Sequence, residues 1–479
     1  MLVASHTLII DEDIKMIGQG RGGDEETSPV VAICALLKAG NVATAIDQCR
    51  QQLAAEPQNA VLWATLGSAL AASGDINEAG KSLARAITYA PSEPAYHVQM
   101  GELYARLQRV ADAAACFERA LALAPEYVPA LHGRANSLWA QGNLVAARHT
   151  LQQIVVLDGE DAFAERNLRL LSGRLVERWH FPMVSDGPRN VRYQQALCAA
   201  IDHDSVVLDV GAGTGLLSMM AARAGARHVI ACESNPAMAE VAREIIAHNG
   251  MADKITVLAK SSFQIDPRID FPANLRPNLI VAEIFDATVI GEGALASFEH
   301  ARTRLAGDGA RIIPARARLH GVLIESDLLW REGAADHACG FDLRMLNRYR
   351  PDCVGVEAHG FQGIALSDDF TLFDFDFTVD AARSPTQNAL EIEVTRAGMC
   401  HGVAYWMRLQ LDDERVLDNR PDLGAGVSDG YCAHWHQMVR LLVPAIRVQR
   451  GMRIRIQAQH NHHAVALSVF DPVTGLPGC

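Results

Sequence analysis

The chain has 479 residues, 49% of them hydrophobic and 21% charged, an ordinary globular composition with room for about three domains at roughly 150 residues each. Its formal net charge of −13 excludes general nucleic-acid binding, which needs a basic surface, and suits basic partners. Ten cysteines without a CxxC pair suit reduced thiols, and the lack of a membrane-length apolar run or a secretory signal predicts a soluble, cytoplasmic protein.

The first 28 residues include GQGRGGDEETSP, whose glycines, charges and proline predict a flexible leader. A repeat follows. Ala45, Ala79, Ala113 and Ala147 recur every 34 residues, as do Pro57, Pro91 and Pro125. Within one period stand Trp63, Leu66, Gly67, Leu70, Ala79, Leu83, Ala86 and Pro91. This spacing resembles the tetratricopeptide repeat, a pair of antiparallel helices. Small residues such as Gly67 and Ala79 let the helices approach, and each proline closes a unit because it cannot continue the second helix. An all-α solenoid over 29–165 is expected, its concave face holding a protein or peptide and carrying no chemistry.

From Ser205 onward apolar runs alternate with helical patterns: SVVLDVG, LLSMMAARAG, HVIACES, PAMAEVAREIIAHNG, KITVLAK and PNLIVAEIF. Such alternation predicts a parallel, doubly wound α/β sheet, taken here as a Rossmann-like domain over 178–312. Past Arg311 the helical period fades. Stretches such as ARARLHGVLIES, VAYWMRLQL and MRIRIQAQ predict an antiparallel β-barrel domain over 313–479.

LDVGAGTG puts Gly211, Gly213 and Gly215 between a buried strand and a helix, where backbone can pass close to a ligand. The spacing is GxGxG, not the GxGxxG of most dinucleotide sites. Asp209 precedes it, and Glu233, ending the next strand, can accept both hydroxyls of a ribose. The combination favours S-adenosyl-L-methionine over a nicotinamide cofactor, and either over an empty tight turn. Further on, AEIFDATVIGEGALASFEHA sets Glu283 at the end of a buried strand and Glu292 between two glycines. Two carboxylates there suit a bound cation, although paired glutamates near a strand end are more often solvated loop residues. The histidines of QHNHHA (His460, His462, His463) have no matching carboxylate or cysteine pattern and read as a loop, not a metal site.

VLDVGAGTGLLSMMAARAGA followed by AEIFDATVIGEGAL resembles the protein arginine methyltransferase family. In that family two glutamates nine residues apart grip the substrate guanidinium, which implies that role for Glu283 and Glu292. MVSDGPRN resembles the segment ahead of the sheet, implying Arg189 on the cofactor carboxylate and Met183 near the methyl group. AHWHQ resembles the threonine-histidine-tryptophan loop, with Ala433 in place of threonine. It implies a pair of His434 with Asp186 and a substrate contact from Trp435. Two departures stand out. The family's tyrosines ahead of the cofactor segment are replaced by LLSGRLVERWHF, and Phe263 stands where a carboxylate usually meets the adenine amine, leaving Ser262 as the replacement.

The chemistry is consistent with the resemblance. A guanidinium is permanently protonated, planar and delocalised, so none of its nitrogens is a good nucleophile. Two carboxylates on one side draw the positive charge toward the nitrogens they touch and leave a terminal nitrogen free to attack a sulfonium methyl. His434 with Asp186 can accept the proton. Repeats joined to such a module resemble the repeat-bearing branch, which makes symmetric dimethylarginine, while FDATVIGEGALASFEHA looks closer to the branch that stops at monomethylarginine. The resemblance implies arginine-containing, Gly/Arg-rich protein substrates, partners held by the repeats, and a homodimer made through an arm at 330–357. Arg21 in GQGRGG resembles such a substrate itself. The rival expectation is a binding scaffold whose methyltransferase domain has lost turnover.

Overall fold

The structure, a computed structural model, describes residues 29–472 apart from 273–274, 352, 357–360, 380–385 and 425. The leader expected over 1–28, with Arg21, lies outside the described residues. The chain divides after Val176 into two compact units.

In the first unit each 34-residue period is one helix pair: Pro29–Lys38 with Val42–Ala55, Ala60–Ser73 with Ile76–Tyr89, Pro94–Arg106 with Val110–Leu123, and Val128–Ala140 with Leu144–Leu157. A further helix, Ala162–Leu175, ends the unit. Polar side chains start many of these helices. Asn59, Asp75, Asn143 and Asp161 each accept a hydrogen bond from the backbone N–H three residues on, satisfying a donor the helix cannot. The recurring alanines at 45, 79, 113 and 147 are buried where helices meet. A Cβ on Gly67 would stand 2.7 Å from Leu83 Cγ, so only glycine permits that helix separation. The first helices of successive pairs also pack on one another and form the inner row of the stack.

The second unit opens with the short helix His180–Ser185 and the helix Gly187–Ala200. Five strands follow: β1 (Val206–Val210), β2 (His228–Cys232), β3 (Ile255–Leu258), β4 (Leu279–Ala282) and β5 (Arg311–Ile313). They form one parallel sheet in the order β3-β2-β1-β4-β5. Val207, Leu208, Val229, Ile230, Ile280 and Val281 are fully buried, as expected of strands covered on both faces. The winding reverses between β1 and β4, and at such a point the carboxyl ends of neighbouring strands open into a crevice.

From β6 (Arg316–Glu325) onward the strand ladders among the described residues are antiparallel. Gly398–Gln410 lies between β6 and Gln437–Val448 in a seven-stranded sheet, and Gln387–Glu393, Arg453–His460 and Val465–Phe470 form a second sheet of three. One hydrophobic core runs beneath the parallel and antiparallel sheets alike. Phe298, on the helix after β4, stacks on Phe377 of the β domain at 4.4 Å between ring centroids. His460 ends a strand and meets the Phe373 ring edge-on.

Candidate active site

The glycine-rich turn leaves β1 at the reversal. Gly211, Gly213 and Gly215 all have positive φ, at 73°, 54° and 77°, a region costly for residues with a Cβ. A Cβ on Gly211 would also come within 2.4 Å of Ile284 Cγ2, so this turn packs directly on the residue after Glu283. Glu233, one residue past β2, accepts from Gly213 N (2.9 Å) and from Asn235 N (2.7 Å). Asp209 is fully buried. One of its oxygens accepts from Ser218 Oγ at 2.6 Å and the other has no partner among the described residues. Burial pushes its carboxyl up to about 6, against the lowering effect of the Ser218 bonds.

Asp186 caps the helix Gly187–Ala200. Its Oδ1 accepts from Arg189 N (3.0 Å), and its Oδ2 accepts from His434 Nδ1 (2.8 Å) and His434 N (3.3 Å). Burial alone would raise this carboxyl, but the bonds from His434 and Arg189 outweigh burial and hold it below the usual range. With Nδ1 as donor, His434 Nε2 is left buried and without a partner. Arg189, one turn into the helix, donates from Nη2 to Glu283 Oε2 at 2.6 Å and from Nη1 to Asn190 Oδ1 at 2.8 Å. The Arg189 and Glu283 side chains are only 3% and 5% exposed. Burial opposes the Arg189 charge, and the Glu283 carboxylate more than restores it. Arg189 Nε is buried and unpartnered. Tyr193 supports the guanidinium from below, with its ring centroid 5.4 Å away and its hydroxyl donating to Ala282 O at the end of β4.

The loop from Glu283 to Glu292 is held by its own aspartate. Asp286 Oδ1 accepts from Thr288 N, Thr288 Oγ1 and Gly291 N, each at 2.9–3.1 Å. Val289 takes a positive φ of 77° with its side chain fully buried, a strained state for a β-branched residue of the sort that clusters at functional sites. Glu292 keeps more than a third of its surface open, yet protein packed around its carboxyl displaces water. That burial, followed by the charges of Glu283, Asp286 and Glu177, pushes it up to about 7.

The fold thus joins Asp186, Arg189, Glu283 and His434 in one bonded chain, and sets Asp209 and Glu233 around the glycine turn. Trp435 lies in the hydrophobic core with its ring centroid 4.8 Å from that of His434. Met183 and Ser262 are buried; Met183 O accepts from Asp186 N at 3.2 Å, no hydrogen bond links Ser262 to this chain among the described residues, and Phe263 turns outward beside His300. Sequence reasoning passed over Glu177, Trp179, His180, Tyr193 and Asp286. The Trp179 indole donates to the Glu177 carboxylate, and the His180 ring stacks on Trp179 at 3.8 Å. His180 Cδ2 stands 3.9 Å from where a Gly213 Cβ would be. The visible signal was ERWH, in the stretch noted only for its missing tyrosines.

S-adenosylmethionine fits this crevice. Its zwitterionic end needs a donor for the carboxylate and an acceptor for the ammonium, and Arg189 Nε and Asp209 Oδ1 are a buried donor and acceptor without partners. Glu233 retains acceptor capacity for ribose hydroxyls. The model of ribosomal protein L11 methyltransferase (PrmA) matches residues 194–304, and tetratricopeptide repeat models match 36–107 and 98–163. An arginine N(omega)-methyltransferase of Streptomyces achromogenes subsp. streptozoticus is 38% identical over 314 residues, covering 64% of this chain and 82% of the streptomycete protein. The chain belongs to the protein arginine methyltransferase family. This methyltransferase is also 31% identical over 395 residues to protein arginine N-methyltransferase 9 of Mus musculus, covering 74% of this chain but 45% of the mouse protein. It therefore spans less than half of that relative's length. Among solved structures, the Trypanosoma brucei PRMT1 enzyme–prozyme heterotetrameric complex with AdoHcy matches 61% of this chain and 92% of its own, at a TM-score of 0.52 and 26% identity. The chain carries an S-adenosylmethionine-dependent arginine N-methyltransferase module that follows a repeat domain.

Proposed function

We propose that this enzyme methylates arginine side chains of proteins, with Glu283 and Glu292 as the guanidinium clamp and the repeats as the recruiting part. The observation that supports this most directly is the placement of Glu283 at the reversal point. There it meets Arg189 on one side and shares an electrostatic field with Glu292 on the other. Asp209, the glycine turn and Glu233 would hold the cofactor, with Met183 and Ser262 nearby in the chain of contacts that the family implies. Bound S-adenosylmethionine supplies a methyl group made electrophilic by its sulfonium.

The protein's part is to bind, orient and remove a proton. Glu283 and Glu292 fix the guanidinium plane and pull positive charge toward the nitrogens they hold, so that the remaining terminal nitrogen presents its lone pair. Once that nitrogen had taken the methyl from sulfur, one of its N–H protons would have to leave. His434 Nε2, buried and unpartnered, is the acceptor this geometry offers, and Asp186 steadies the resulting imidazolium. Trp435 orients His434 by ring contact.

The product is mono- or symmetric dimethylarginine, and Gly/Arg-rich proteins are the natural acceptors for an acidic enzyme. A homodimer formed through the arm at 330–357 is supported by Phe341, Met345, Leu346 and Tyr349, large apolar side chains left exposed there. A cytoplasmic location agrees with the absence of a disulfide among the described cysteines, and no described helix is long and apolar enough to cross a membrane. The test is incubation of the enzyme with labelled S-adenosylmethionine and an arginine-glycine-rich protein, followed by methylarginine typing. Glu283→Gln and Glu292→Gln are each expected to lower kcat by about 100-fold or more. Unchanged rates in both variants would sink the clamp, and label on lysine or on no protein would sink the substrate assignment.

A further inference from the structure

The last helix of the repeat unit departs from what an end-cap requires. A terminal helix normally presents a polar outer face, because no further repeat covers it. Ala162–Leu175 buries Ala164, Asn167, Leu171 and Leu175, and the adjoining face carries Phe163, Arg166, Leu170 and Arg174. Phe163 and Leu170 are 49% and 51% exposed, too much apolar surface for a simple cap. Arg174 sets its guanidinium 5.7 Å from the Trp139 ring centroid. Trp139 belongs to Val128–Ala140, so this face continues the inner row of first helices. Neither Arg166 nor Arg174 has a carboxylate partner among the described residues, and Asp161, at the start of the helix, is already bonded to the His132 ring at 2.6 Å. Two unneutralised guanidiniums thus flank an apolar strip on a protein whose net charge is −13.

From this charge pattern we infer that the inner face at the end of the repeats docks an acidic segment of a partner protein, anchored by leucine or aromatic side chains. It repels the arginine-rich segment that is methylated. The acceptor arginine and the docking tract are then two separate, oppositely charged parts of the recruited protein or complex. The inference rests on the repeats as the recruiting part and not on the methyl-transfer chemistry, so the two are tested apart.

The measurement is fluorescence anisotropy of the full chain with a labelled peptide of about ten residues alternating Asp or Glu with Leu or Phe. A matched peptide carrying Lys for each acid is the comparison. The acidic peptide is expected to bind and to weaken with added salt, and the lysine peptide is expected not to bind. Arg166→Glu with Arg174→Glu should weaken binding by about tenfold or more. Arg119→Glu, on the second helix of an earlier pair, Val110–Leu123, should leave it unchanged. Methylation of a short Gly/Arg peptide should be the same in all these variants. Equal binding of both peptides, or of the acidic peptide to the double variant, overturns the inference. Binding seen only after residues 1–28 are removed overturns it too, by assigning the face to the chain's own LIIDEDI stretch. Docking without any methyl transfer would leave this inference standing while the catalytic reading falls.

Discussion

Glu292 has the most consequential titration in the site. Its carboxyl is raised from 4.5 to about 7, so near neutrality half of it carries no charge and cannot attract a cation. The kcat/KM for an arginine acceptor is therefore expected to rise with pH through about 7, and Glu292→Gln should flatten the rise. The same shift carries a stability consequence of opposite direction. Between roughly 4.5 and 7 the folded chain holds a proton that the unfolded chain has released, so this group destabilises the fold progressively as pH rises through that window. Denaturant midpoints at the two ends of the window should show Glu292→Gln gaining relative to the parent at the higher pH. A profile with no inflection near 7, or one that the variant shares, would mean that Glu292 does not govern acceptor binding. At this scale the residue types and their spacing were legible in the sequence. The Arg189–Glu283 pair was not, because 94 positions of chain separate its members.

The loop between the two glutamates behaves as one element. Asp286 ties it together through three donors, and a Cβ on Gly291 would fall 2.1 Å from Asp286 Oδ2. Gly291→Ala must push that carboxylate off its partners and displace Glu292 with it. A displacement of this kind costs on the order of 10–100-fold in kcat, with Tm moving by only a few degrees because the loop covers little of the core. Assay and thermal melt together decide it: full activity would show that the clamp does not depend on the loop's internal bonds. The strand that leads into it, Leu279–Ala282, was readable as an apolar run. The loop's conformation was not, since nothing in the local pattern predicts a buried valine with positive φ.

For the whole molecule the open question is assembly. The arm segment leaves Phe341 and Tyr349 70% and 85% exposed, more apolar surface than an isolated hairpin and short helix normally show to water. Replacing Phe341, Leu346 and Tyr349 by Asp is expected to yield a monomer by sedimentation at micromolar concentration, with reduced turnover. Wild-type enzyme that is already monomeric and fully active would end the dimer proposal.

Periodicity was enough to define the repeats, because each unit is a local helix pair whose phase shows in Ala45, Ala79, Ala113 and Ala147. It was also enough for the α/β alternation and for the glycine turn after β1, features set by neighbours a few residues apart. The pair of Asp186 with His434 across 248 positions was implied by the family resemblance and not by spacing, while the orphaned polar atoms of Arg189, Asp209 and His434 and the basic strip on the last repeat helix appeared only in three dimensions. Burial, electrostatic field and exposure arise from packing between distant segments. A linear pattern records which residues are available but not which of them are drawn out of water together.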